Sequence, residues 1–129
     1  MKRILFIILL PIIFTFSVLS QGLSEHIADC FRKGNASLLR DTFARQVILT
    51  LPGTSRETDQ SNTTVALERF FKDTQPEQFK VIHTSDKGET GFLVGILSTG
   101  KGSFRVHVLM RRNNNKNLIH QIRIEQINE

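Results

Sequence analysis

The chain of 129 residues carries 17 Lys and Arg against 12 Asp and Glu, a formal net charge of +5, with 40% hydrophobic residues, one Cys and neither Trp nor Tyr. That length allows one hydrophobic core and not two, and a single cysteine excludes an internal disulfide. The charge is spread without a block of like residues, which argues against the clustered Lys and Arg that nucleic acid demands.

Lys2 and Arg3 precede an apolar run from Ile4 to Leu19, and Ser20 offers a small residue where a signal peptidase cuts. The pattern predicts a leader over residues 1–20, removed after Ser20 or Gly22. A membrane anchor fits less well, because Pro11 interrupts the run and it falls short of the ~20 apolar residues of a span. Loss of Lys2 and Arg3 lowers the formal charge from +5 to +3. The mature chain, residues 23–129, is expected in the periplasm or outside the cell as a single domain with no stable membrane anchor.

Leu23 to Lys33 reads as an amphipathic helix with Leu23, Ile27, Cys30 and Phe31 on one face, stopped by Gly34-Asn35. Cys30 there reads as a buried small hydrophobe, against the alternatives of an intermolecular disulfide or a reactive thiol. Asn35 or Ser37 caps a second short helix whose stripe is Leu38, Leu39 and Phe43. Gln46 to Leu51 alternates as a strand and Pro52-Gly53 closes it. Thr54 to Gln60 is polar and reads as a surface connection, after which Ser61 is the expected N-cap of a third helix. Val65, Ala66, Leu67, Phe70 and Phe71 form the apolar stripe of that helix, and Gln75-Pro76 ends it.

From Phe79 the chain reads as strand: Phe79 to Thr84, then a hairpin from Gly91 to Met110, then Leu118 to Ile127 after the polar loop Arg111–Asn117. Phe104, Val106, Val108 and Met110 alternate with polar residues, and Gly100-Lys101 makes a two-residue turn. The register follows, with Thr99 opposite Gly102, Leu97 opposite Phe104, Gly95 opposite Val106 and Leu93 opposite Val108. Pairing Met110 with Leu118 then sets Ile122 opposite Val106 and Ile124 opposite Phe104, beneath Phe70 or Phe71. Ile119 and Ile127 fall out of phase, which predicts a bulge or a second contact surface. Phe92, Val94, Ile96 and Leu109 lie on the other face, a candidate surface for homodimer formation through the sheet.

The pieces Thr64 to Phe71, Gly95 to Thr99, Phe104-Arg105-Val106 and Ile122-Arg123-Ile124-Glu125 resemble a small bacterial exported family, domain of unknown function 4783, within the nuclear transport factor 2-like superfamily. The resemblance spans nearly the whole mature chain. It implies an α+β fold, a cone of N-terminal helices packed on a curved antiparallel sheet, often paired through that sheet. It carries over no catalytic residue and no cofactor.

Chemistry-bearing residues are sparse. His26, His83, His107 and His120 never fall at metal-ligand spacing with each other or with Cys30, so no metal site is expected. Some superfamily members use an interior Asp with a Tyr or a His, but this chain lacks Tyr. Its Asp29, Asp41, Asp59, Asp73 and Asp86 fall on helices or turns. His120, and His83 if Phe79 and Val81 point inward with it, are the only proton carriers expected on inward strand positions. Arg105, Arg123 and Glu125 come together on adjacent strands as a cross-strand ion pair or an anion site. The candidate ligand-binding residues are therefore His83, His120, Arg105 and Arg123. The reading is a non-catalytic exported domain that binds a small ligand or an envelope protein through the cone; the alternative is a small isomerase-, dehydratase- or hydrolase-like enzyme of the same fold.

Overall fold

In a computed structural model, which describes residues 22–85 and 88–128, the expected helices, strands and hairpin are present along with one further strand. The leader predicted over residues 1–20 lies outside the described residues. Helix α1 (Gly22–Lys33) buries Ile27, Ala28, Cys30 and Phe31, the face its apolar spacing defines. It ends as expected: Gly34 takes a φ of 62°, and the Asn35 N–H donates back to the Cys30 carbonyl at 3.0 Å. Asn35 then caps a 3₁₀ helix (Ala36–Thr42), its side chain accepting from the Ser37 N–H at 3.1 Å.

Strand β1 (Phe43–Leu51) turns at Pro52-Gly53 into β2 (Thr54–Asp59), where the polar composition predicts a surface connection. Only Thr58 of β2 is buried, so the backbone ladder to β1, from Gln46↔Asp59 to Leu51↔Thr54, holds the strand in place of side-chain burial. Helix α2 (Gln60–Thr74) is capped by Asp59 rather than Ser61: the Asp59 Oδ1 accepts from the Asn62 N–H at 2.8 Å. Thr63, Leu67, Phe70 and Phe71 face inward, whereas Val65, part of the expected stripe, is 53% exposed.

Strands β3 (Pro76–Ser85), β4 (Thr90–Thr99), β5 (Gly102–Asn113) and β6 (Lys116–Gln126) complete a six-stranded sheet ordered β2-β1-β6-β5-β4-β3. The fold is α+β as expected, but the sheet is mixed, because β1 runs parallel to β6. The β4–β5 register matches expectation at all four predicted pairs.

The β5–β6 register differs. Val106 faces Ile124 and Val108 faces Ile122, a slip of two residues. Arg111 to Asn113 continues the strand instead of looping, and the turn contracts to Asn114-Asn115, both with positive φ (52° and 66°). A bulge at His120 then restores phase and brings Ile119 into the core, as its out-of-phase position requires. Val106, Ile122 and Ile124 remain on the inward face, fully buried.

The core is aromatic on the helix side. Phe31 stacks on Phe79 (centroids 5.1 Å apart) and meets Phe71 edge-on at 5.4 Å, while Phe70 meets Phe104 edge-on at 5.1 Å. These rings and the aliphatic strand residues form one cluster, and several recesses indent its margin: one where the C-terminal half of α2 meets the sheet, one of about 530 Å³ around Asp41, Arg45, Asp59 and Lys116, and one of about 460 Å³ between Lys33 and Lys72. Of the two largest, the first has the more apolar lining.

Candidate functional site

The recess where α2 meets the sheet is a cleft of about 510 Å³, within the range of small-molecule sites. Ala66, Arg69, Phe70, Asp73 and Thr74, at i, i+3, i+4, i+7 and i+8 of α2, form one wall. Leu51, Pro52, Thr54 and Arg56 at the β1–β2 turn form the other, and Phe104, Gln126 and Lys101 close the end. Lys101 is held by its turn. The Gly100 N–H donates to the carbonyls of Thr74 (3.0 Å) and Gln75 (3.2 Å), and the Thr99 hydroxyl accepts from the Lys101 N–H at 2.9 Å while donating to the Gly102 carbonyl at 2.8 Å.

The cleft thus has an apolar floor and a charged rim. Arg56, Arg69 and Lys101 line it with one carboxylate, Asp73, and among the described residues none of the four belongs to an ion pair: the two pairs are Arg32–Asp29 at 3.1 Å and Arg123–Glu125 at 2.8 Å. No histidine lines the cleft. The buried polar side chains among the described residues are threonines, and Thr63, Thr64 and Thr74 donate their hydroxyls to α2 or Asp59 carbonyls. Nor does any group of three or more His, Cys, Asp or Glu among the described residues stand where it could hold a metal ion. The Cys30 thiol is enclosed and pushed up to about 12, by burial first and by Glu68 second, so it stays protonated and packs as a small hydrophobe.

The candidate residues from sequence lie elsewhere. An extra residue, Ile82, bulges β3 between Val81↔Gly95 and His83↔Val94, so His83 leaves the inward phase expected of it and lies exposed with its ring 5.5 Å from Phe92. His120 is the bulge residue of β6 rather than a regular inward position; its Nε2 is enclosed and has no hydrogen-bond partner among the described residues. Three strand positions separate β3 from β6, so the two histidines do not form a pair. Arg105 faces Glu125 across the sheet and His107 faces Arg123, which brings the expected charges together on the outer face. The ion pair forms along β6, between Arg123 and Glu125, instead of across strands, and both side chains are about half exposed. A smaller recess of about 260 Å³ there is lined by Phe92, Val94, His107, Leu109, Gln121 and Arg123.

His107 and His120 are both held below the ordinary imidazole value of 6.5. Burial is the main cause for each, reinforced by Arg123 at His107 and by Arg111 at His120. A depressed folded pKa means that the unfolded chain binds these protons first as pH falls. Stability is therefore full above the unfolded value and declines as pH drops through 6.5 toward the lower folded values. The urea midpoint is expected to fall between about pH 7.5 and about pH 5.5, and the double variant His107→Gln/His120→Gln should flatten that slope. An unchanged slope in the double variant would assign the acid sensitivity to other groups.

The sequence reading did not single out Arg56, Arg69 and Lys101. The signal was present in α2, where Arg69 and Asp73 interleave with Ala66 and Phe70 on a single helical face.

Helices held against a curved six-stranded sheet define an α+β cone of the nuclear transport factor 2-like kind. A designed protein of the nuclear transport factor 2 fold superposes with a TM-score of 0.65 over 84% of this chain and 97% of its own, at 14% identity. The chain belongs to the family described as domain of unknown function, DUF4783, whose model matches residues 24–125. The crystal structure of a family protein from Bacteroides uniformis is 33% identical, with a TM-score of 0.80, covering 83% of this chain and 99% of that one. One from Bacteroides ovatus is 34% identical, with a TM-score of 0.76, covering 81% and 94%. No curated protein matches the chain.

Proposed function

We propose that this is an exported, non-catalytic binding domain that takes a small ligand into the cleft where α2 meets the sheet. The carrying observation is the cleft itself: an apolar floor of Leu51, Ala66, Phe70 and Phe104 beneath charges that form no ion pair among the described residues. The alternative, a small isomerase-, dehydratase- or hydrolase-like enzyme, has less support. Acid–base catalysis of that kind needs a carboxylate joined by a second proton carrier, and neither His83 nor His120 joins Asp73 in this cleft. Export rests on the basic start and apolar run of residues 1–20. Among the described residues no helix is long and apolar enough to cross a membrane.

A neutral apolar fluorophore such as N-phenyl-1-naphthylamine is expected to bind saturably to the wild type. Ala66→Trp, which fills the α2 wall, should weaken that binding by about tenfold with an unchanged circular dichroism spectrum. Equal binding by the plugged variant would place the ligand elsewhere.

The outer face supports self-association as a second property. Ile48, Gln121, Leu109 and Phe92 form a row across β1, β6, β5 and β4, and Ile48 and Phe92 are 43% and 36% exposed. Among the described residues no helix covers this row, and a second copy offers the same apolar surface. Phe92→Lys is expected to convert dimers to folded monomers in sedimentation. A wild type that is already monomeric at high concentration would remove the dimer from the account.

A further inference from the structure

Resting on the reading that the cleft binds a ligand, we infer that this ligand is a free amphipathic anion of the fatty-acid class, its acid group at the rim and its aliphatic chain on the floor. Among the described residues, three cations line a volume that holds one carboxylate, and that excess favours a negative group. Two of the three are arginines, whose planar guanidinium matches a carboxylate through paired N–H donors. Asp73 and the C-terminal pole of α2 oppose an anion at this end of the cone. The Gly100 N–H, which bonds the Thr74 and Gln75 carbonyls, partly neutralises that pole, and the same turn fixes Lys101 at the rim.

The floor selects the rest of the molecule. Phe70 and Phe104 meet edge-on at 5.1 Å and are 9% and 4% exposed, so they offer ring margins rather than an open face on which a planar ligand could stack. With Leu51 and Ala66 they make a narrow apolar strip, which a flexible chain can follow. A neutral apolar molecule would use the strip and leave the cations idle. A bilayer lipid is less well matched, because the cations surround a recess instead of spreading over a flat basic face.

Displacement of the neutral naphthylamine probe by dodecanoate and by dodecanol tests this. Dodecanoate is expected to displace at about tenfold lower concentration than dodecanol, with an advantage that shrinks as salt rises. Arg69→Gln/Lys101→Gln should abolish the preference, raising the dodecanoate concentration needed for displacement to that of dodecanol. Equal displacement by acid and alcohol, unchanged in the double variant, would overturn the anion assignment while the cleft reading stands. No saturable probe binding at all would instead overturn the cleft reading. Sedimentation of the wild type with phosphatidylglycerol vesicles, lost in the double variant, would overturn the free acid in favour of a lipid headgroup.

Discussion

Gly95→Val is expected to cost at least ~3 kcal/mol and to leave the domain largely unfolded at modest urea concentration. Gly95 sits in the middle of β4, between Val81 of β3 and Val106 of β5, on the face that meets the helices. A Cβ at this position would lie 2.3 Å from the Phe79 Cζ, 2.7 Å from its Cε1 and 3.0 Å from the Lys80 carbonyl oxygen. No carbon tolerates the first two distances, so something must move. The Phe79 ring cannot swing aside easily, because it is 3% exposed and stacked on Phe31. The strand glycine is thus the socket in which an aromatic side chain from the neighbouring strand rests. Gly95→Ala should cost ~1–3 kcal/mol, and adding Phe79→Leu should recover part of that loss, a coupling that only direct contact explains. A Gly95→Ala change below about half a kcal/mol would show that the ring does not occupy this space.

Ile124→Ala is expected to cost ~2–5 kcal/mol, because the side chain is fully buried opposite Val106 and its loss leaves a cavity that close-packed neighbours fill poorly. Ile119→Ala should cost a comparable amount. That second value tests the bulge at His120: an unbulged β6 would turn Ile119 to the outer face, where truncation costs about half a kcal/mol or less. Leu118, half-buried in the observed register, should respond more weakly than Ile119. The opposite ranking would contradict the register.

How much of this was legible in the chain follows from which forces set each element. The β4–β5 hairpin was readable pair by pair, because a two-residue turn and strict alternation leave one register that buries Leu93, Leu97, Phe104 and Val106 together. The β5–β6 hairpin was not, since the polar run Arg111 to Asn113 carries no alternation and pairs through its backbone alone. Edge strand β2 was missed for a similar reason: its residues are almost all exposed, so no burial pattern marks them. The two bulges moved His83 and His120 away from their expected positions, because one inserted residue reverses the phase of everything beyond it. The cleft was the least legible feature. Its walls come from α2, the β1–β2 turn, the β4–β5 turn and the ends of β5 and β6, and no local pattern encodes that meeting.

The central claim, that the cleft where α2 meets the sheet is where this domain binds, is tested most directly by titrating the isotope-labelled protein with dodecanoate and following its amide resonances. The account predicts saturable shifts concentrated at Ala66, Phe70, Thr74, Lys101 and Phe104, with Val94, His107 and Arg123 on the outer face unmoved. Shifts centred on that outer face, or none at concentrations where a fatty acid remains monomeric, would contradict it.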